Sequence, residues 1–338
     1  MNAFYFFGTL DFQDSIAVLL ESLKRQEDTW VCFFDSNKRK RQLYYYEKVE
    51  LEDYIKKICK LNKLKIPIVD FFGQNDEIKF KNKFKSIEPT LIFCQFIYHK
   101  FPNWTPFVGS SKIIHLGWGG EEAQVNLKKS SYKENITLNV LTRERYLLKE
   151  NLPKNFKFFG DLPRSQLYFT PFSFKQFANN KVCFIPETWF FAGTKTWGKE
   201  QAKVIDEIFK FLKQKDFKVV LKKREKGYPD DRVLGFNNYL NQEPDFFIKK
   251  DFLFPTSMIS LPIHSNICMI LGSSGASEIA QINKNTFSSS LNDNIVKEAQ
   301  QYINEKNNTE KPPKEEIYKN KDRNAASELL NHIDNKIK

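Results

Sequence analysis

The chain has 338 residues, of which 41% are hydrophobic and 28% charged, with 53 Lys and Arg against 41 Asp and Glu and a formal net charge of +12. At roughly 100–200 residues per domain this length predicts two domains, and the apolar content excludes a wholly disordered chain. The basic excess favours an anionic partner, whether nucleic acid, an acidic membrane surface or a phosphorylated ligand, although a lysine-rich solvated surface gives the same count.

Short apolar runs alternate with amphipathic segments from the start. AFYFFGTL (3–10) reads as a buried strand, and Gln13 to Arg25 as a helix with Ile16, Leu19, Leu20 and Leu23 on one stripe. WVCFFDS (30–36) is the next strand and Glu52 to Leu61 the next helix. PIVDFF (67–72), TLIFCQF (90–96), KIIHLGW (112–118), NITLNVLT (135–142) and KFKFFGDLP (157–163) follow as strands or strand ends. After a turn-rich stretch (161–181) the pattern restarts: VCFIPE (182–187), a strongly amphipathic helix from Lys199 to Gln214, FKVVLKK (217–223), DFFIKK (245–250), ICMILGSSG (267–275), a helix over ASEIAQINK (276–284) and TFSSS (286–290). Residues 305–320 read as a polar linker, and Asp322 to Ile337 as a helix with Ala325, Ala326, Leu329, Leu330 and Ile333 as its stripe.

Strands separated by helices predict parallel βαβ units. The expectation is therefore an α/β chain of two Rossmann-like, doubly wound parallel-sheet domains facing a central cleft. Its boundaries are 1–165 and 166–305, followed by 306–338 as linker and helix. Ligands in such sheets sit at the carboxyl ends of strands.

Cys32, Cys59, Cys94, Cys183 and Cys268 form no CxxC pair, and four of them lie in apolar runs. That predicts reduced, buried thiols rather than a disulfide framework or a zinc site. The four histidines show no clustered spacing, so no metal site is expected. No run approaches the roughly 18 apolar residues of a membrane span. The opening MNAFYFFGTLDFQDS lacks the basic and small-residue features of a signal peptide. A cytoplasmic protein is expected, with peripheral membrane contact through Lys38, Arg39, Lys40 and Arg41, which adjoin three tyrosines. A charged loop reads the same way. Nucleic acid is disfavoured, because no helix–turn–helix, zinc or RNP-type pattern accompanies these residues.

The most informative segment is ILGSSGASEIAQ (270–281). Gly272 and Gly275 allow close backbone approach, while Ser273, Ser274 and the free N–H groups of a helix start can cradle phosphate. Glu278, one turn on, can accept from ribose hydroxyls. The alternative is an ordinary turn capped by Ser274 and Glu278. Lys222, Lys223 and Arg224 end a strand, where cations can neutralise a diphosphate; a solvated basic loop is the alternative. Thr188, Gly193 and Thr194 follow the first strand of the second half and offer hydroxyls and open backbone, or a plain turn.

The strand–GSSG–A–S–E–helix arrangement resembles the donor-binding segment of GT-B enzymes. It is similar above all to the group of CDP-glycerol glycerophosphotransferases, capsule and wall-polymer transferases and UDP-N-acetylglucosamine 2-epimerase relatives. KIIHLGWGGE (112–121), NVLTRERYLLKENLPKNFKFFGDLP (139–163), CFIPETWFFAGTKTWGKEQ (183–201) and FKVVLKKREK (217–226) resemble further family segments in the expected order. INKNTF (282–287) replaces the family's Gly-Lys-Pro, and Gly119 replaces a histidine after Trp118.

The resemblance implies a metal-independent glycosyltransferase without cofactor. It would move a sugar or polyol phosphate from a nucleotide-activated donor to a saccharide or lipid-linked acceptor, in surface polysaccharide or glycan synthesis. The donor would meet Thr188, Gly193, Thr194, Lys222, Arg224, Gly272, Ser273, Ser274, Gly275 and Glu278. Trp118, Gly119 and Gly120 would lie on the acceptor side. An inverting transfer needs a base from the first half; the candidates are Glu121, Asp11 and His115, the last two being equally readable as a helix-cap residue and a core residue. A nucleotide-sugar epimerase of the same fold is the alternative, against which the sparse histidines count. A non-catalytic basic binding protein on the same scaffold is a third reading.

Overall fold

In the computed structural model, residues 1–7, 12–34, 48–73, 75–95, 111–117, 136–142, 155–165, 168–169, 177–186, 195–222, 240–248, 256–271, 279–280, 282–289, 292–312 and 324–337 are described. The chain divides into two compact units. The first comprises Met1–Lys40, Tyr44–Pro171 and Arg323–Lys338; the second comprises Arg41–Leu43 and Phe172–Asp322.

The first unit is built on β1 (Asn2–Phe7), β2 (Thr29–Phe34), β3 (Ile68–Phe72), β4 (Leu91–Gln95), β5 (Lys112–Gly117), β6 (Ile136–Leu141) and β7 (Phe156–Phe158). These pair in the order β3-β2-β1-β4-β5-β6-β7, every pairing parallel. Helices α1 (Phe12–Lys24), α2 (Lys48–Leu61), α3 (Glu77–Ile87) and α4 (Leu162–Ser165) connect them. On the face covered by α3, Trp30 packs among Phe72, Phe80 and Phe84, and its indole N–H donates to Asp70 Oδ2 at 2.7 Å. Burying that indole without a partner would be costly, so Asp70 is what makes tryptophan acceptable there.

The second unit holds β8 (Val182–Pro186), β9 (Lys218–Lys222), β10 (Phe246–Ile248), β11 (Ile267–Leu271) and β12 (Thr286–Ser289), in the order β10-β9-β8-β11-β12 and again all parallel. Helices α5 (Lys195–Gln214), α6 (Thr256–Ile263) and α7 (Ile295–Glu305) accompany them. β8, β9 and β11 carry apolar side chains to both faces, as parallel strands covered on both sides must. One core joins Cys183, Ile185, Met269 and Leu271 to Ile205, Ile208 and Phe209 of α5 and Ala299 and Ile303 of α7. The opposite core joins Phe184, Cys268 and Ile270 to Phe177 and to Leu261 of α6.

The last helix, α8 (Ala325–Lys336), belongs to the first unit. Its expected stripe of Ala325, Ala326, Leu329, Leu330 and Ile333 is buried, and it packs on α1 and α4. Arg25 clasps it, donating to the Ser327 carbonyl at 2.9 Å, to Ser327 Oγ at 2.9 Å and to Asp334 at 3.2 Å, while Nε donates to Glu21. The segment before the return is tied to the second unit: Asn266 Nδ2 donates to the Thr309 carbonyl, and Lys181 to Asn307.

Several helices end on left-handed residues that are not glycine: Gln26, Lys63 and Asp216, with φ between 56° and 61°. At each, the next N–H reaches back over five residues: Glu27 to Ser22, Leu64 to Cys59 and Phe217 to Leu212. This double-bonded C-cap turns the chain directly into the following strand. All five cysteines are free and buried, as expected.

Candidate functional site

In parallel sheets of this kind the ligand edge is where successive connections reverse direction and leave a crevice beyond the strand ends. The reversal falls between β1 and β4 in the first unit and between β8 and β11 in the second. Asp11 comes four residues after the end of β1. Thr188, Gly193 and Thr194 follow Pro186 at the end of β8, and Gly272, Ser273, Ser274, Gly275 and Glu278 follow Leu271 at the end of β11. Trp118, Gly119, Gly120 and Glu121 follow Gly117 at the end of β5, and Arg224 follows β9 by two. All of these lie outside the described residues, as do Lys38, Arg39, Lys40 and Arg41. What the fold establishes is their chain order: each comes next after the carboxyl end of a parallel strand.

Two of the expected site residues are described. Lys222 is the last residue of β9, in register with Pro186 of β8 and Ile248 of β10, and is 1% exposed. A lysine so deeply buried at the carboxyl edge, beside the strand where the order reverses, is uncommon, because an ammonium there needs compensating partners.

His115 lies in β5, two residues before its end, and is 2% exposed. Its ring meets Phe156 edge-on, with centroids 6.4 Å apart. Burial pushes the imidazole down to a pKa of about 4, so it is neutral at physiological pH. Among the described residues its Nδ1 has no hydrogen-bond partner, and neither has Oδ1 of Asn139, the residue in register with it on β6. On the other side His115 registers with Cys94 of β4, whose thiol burial raises to about 12. The carboxyl half of this sheet thus contains a neutral imidazole and an amide on neighbouring strands. Asn139 was not singled out from the sequence. The available signal was an Asn inside the apolar run ITLNVL.

No group of three or more His, Cys, Asp or Glu side chains able to hold a metal occurs among the described residues. No helix among them is long and apolar enough to cross a membrane.

No protein-family model matches the sequence, and no curated protein is similar to it at the sequence level. Solved structures do match. The UDP-GlcNAc 2-epimerase of Methanocaldococcus jannaschii superposes with a TM-score of 0.61 at 11% identity, over 99% of each chain. The fold is GT-B. S. aureus MnaA, solved with UDP, matches at 0.57 and 11% identity, over 98% of this chain and 95% of its own. The Neisseria meningitidis UDP-GlcNAc 2-epimerase bound to UDP-GlcNAc matches at 0.54 and 12% identity, over 98% and 99%. The two parallel sheets of this chain are thus those of a GT-B fold, and the residues singled out in its second half follow the strands of one of them.

Proposed function

We propose that this chain binds a nucleotide-activated sugar and acts at its anomeric carbon, transferring the sugar to a saccharide or lipid-linked acceptor in the synthesis of a surface glycan. The observation that carries the reading is Lys222. It is a buried lysine at the carboxyl edge of a GT-B sheet, next to β8, with Arg224 two residues further on. Breaking a sugar–diphosphate bond leaves charge on the diphosphate, and fixed cations in a water-poor edge stabilise that charge more than solvent does. In this reading Gly272, Ser273, Ser274 and Gly275 receive the diphosphate, Thr188, Gly193 and Thr194 add further contacts to it, and Glu278 accepts from the ribose. The acceptor proton goes to Glu121 or Asp11. His115 is neutral and enclosed by the sheet, so a positioning role suits it better than that of base. Trp118, Gly119 and Gly120 border the acceptor.

The epimerase reading stands second. The M. jannaschii epimerase matches over 99% of both chains, and epimerisation would also begin by loosening the nucleotide. The narrower likeness to CDP-glycerol glycerophosphotransferases rests on sequence motifs alone.

The test starts with thermal shifts against CDP, UDP, GDP, dTDP and CMP without added metal, since a ligand bound only by the folded state raises Tm. The expected result is a shift with one nucleotide that Arg224→Ala and Lys222→Met abolish. The corresponding nucleotide sugar is then incubated with and without a saccharide acceptor and followed by NMR. Nucleotide release that requires acceptor supports transfer, and a new sugar epimer without acceptor supports the second reading. No shift with any nucleotide would refute both.

A further inference from the structure

Among the described residues of the first unit, three of the four exposed large aliphatic side chains fall in one short segment; the fourth, Ile78, stands apart on α3 and is 74% exposed. Leu61 is 66% exposed, Ile66 50% and Ile68 42%. They fall in KLNKLKIPI (60–68), where the end of α2 turns into β3, the edge strand of the sheet. Lysines alternate with them at 60, 63 and 65, and Lys57 lies one turn before Leu61 on the exposed side of α2; all four lysines are exposed. Leu51, Tyr54, Ile55, Ile58 and Cys59 face inward, so the core claims none of these residues.

The exposure is built, not frayed. Lys63 holds a left-handed conformation with φ 56°, its N–H donates to the Lys60 carbonyl, and Leu64 N–H reaches back to Cys59 at 2.8 Å. Asn62 donates to the Ile58 carbonyl through both its backbone N–H and its side chain. Lys65 is paired with Asp28 at 2.8 Å; Lys57, Lys60 and Lys63 pair with no described carboxylate.

We propose that this basic, aliphatic corner is a contact surface for an anionic lipid bilayer. Branched aliphatic side chains held outward among lysines are what an interfacial contact uses, the former entering the headgroup boundary and the latter meeting anionic headgroups. A second copy of the chain is the competing occupant, but an isologous contact would bring these lysines against their own images. The corner is at the amino-terminal end of the strands, so a bilayer bound here leaves the carboxyl edge of the sheet open. It is separate in the chain from Lys38–Arg41.

The test is co-sedimentation of the full chain with vesicles of phosphatidylcholine alone or of phosphatidylcholine mixed with phosphatidylglycerol, at roughly physiological and at high ionic strength. The expected result is binding only to the anionic vesicles, weakened by salt. Lys60→Glu combined with Lys63→Glu should lower the partition coefficient at least about 25-fold, at roughly a fivefold loss per lysine. Leu61→Ser with Ile66→Ser should lower it too, with Tm and circular dichroism unchanged in both variants. Equal partition of wild type and variants, or binding abolished only by reversing Lys38–Arg41, overturns the proposal. So does a fall in oligomeric state on Leu61→Ser with Ile66→Ser, seen by analytical ultracentrifugation, which would assign the corner to a second copy.

Discussion

Replacing His115 by leucine tests how the β5 face is built. The folded protein holds this imidazole at a pKa of about 4, against 6.5 for a free side chain, because burial disfavours its charged form. Below pH 6.5 the unfolded chain therefore binds a proton that the folded chain does not. His115 then lowers stability as the pH falls from about 6.5 to about 4; the loss levels off below that, and above 6.5 His115 adds no pH dependence. At about 1.4 kcal/mol for each pH unit between the two values, the full effect is about 3 kcal/mol. The neighbours do not alter the sign, since Cys94 stays protonated and Asn139 and Phe156 carry no charge. His332, also held below its usual value, is common to both proteins and cancels in their difference. Urea unfolding at half-unit steps from pH 4 to 7.5 gives that difference directly. His115→Leu should gain on the wild type by about 3 kcal/mol between pH 7 and pH 4. A difference that stays flat with pH would mean that the ring is hydrated or partnered when charged, and the reasoning would fail.

Phe80 stacks on Trp30 and meets Phe72 edge-on, so Phe80→Ala should destabilise the first unit by about 3–5 kcal/mol, read from chemical denaturation. Arg25→Ala removes the clasp on α8 and leaves the buried Glu21 without its guanidinium; a loss of about 2 kcal/mol and faster amide exchange confined to 325–336 are expected. Gln26→Gly relieves a left-handed residue and should raise stability by a few tenths to about 1 kcal/mol, whereas Gln26→Val should lower it. The five thiols are buried with raised pKa values, so Ellman's reagent should titrate none of them in the native protein and all of them in denaturant. Rapid native labelling of even one would contradict the packing.

The strands were legible because a parallel sheet covered on both faces needs unbroken apolar runs. VCFIP and ICMIL could hardly be anything else between glycine- and proline-bearing loops. The α8 stripe was legible for the complementary reason, five apolar residues at helical spacing in a polar segment. Besides the four-residue α4, which fell in a stretch read as turns, three helices were not read from the sequence. α3 buries only Phe80 and Phe84 among four lysines and an asparagine, too thin a stripe to see. α6 contains Pro262, which argues against a helix, yet the carbonyl and turn around it are satisfied by Asn283, whose side chain donates to Pro262 and Ser265. α7 places Ile295, Ala299 and Ile303 at helical spacing, but with only three buried positions in a polar segment its stripe is thin. For the site, residue type and chain order were readable, since glycine and serine past a strand end have a stated physical use. The depth of Lys222 and the pairing of His115 with Asn139 were not. Both depend on which strand lies alongside, a fact set by sheet order across more than 20 residues of chain.

The return of α8 also bears on how the protein is made. The α1 face of the first unit is closed by Ala325, Ala326, Leu329, Leu330 and Ile333, residues synthesised after the whole second unit. During translation the second unit can complete its sheet and both its cores while the first still shows an open apolar side. At roughly 5–20 residues per second that interval lasts about 10–30 seconds. Over that time the side of α1 that carries Glu21 and Arg25, whose partners Asn324, Ser327 and Asp334 are not yet made, is the surface a chaperone would meet, and a ribosome stalled before residue 325 would hold a nascent chain that exposes it permanently.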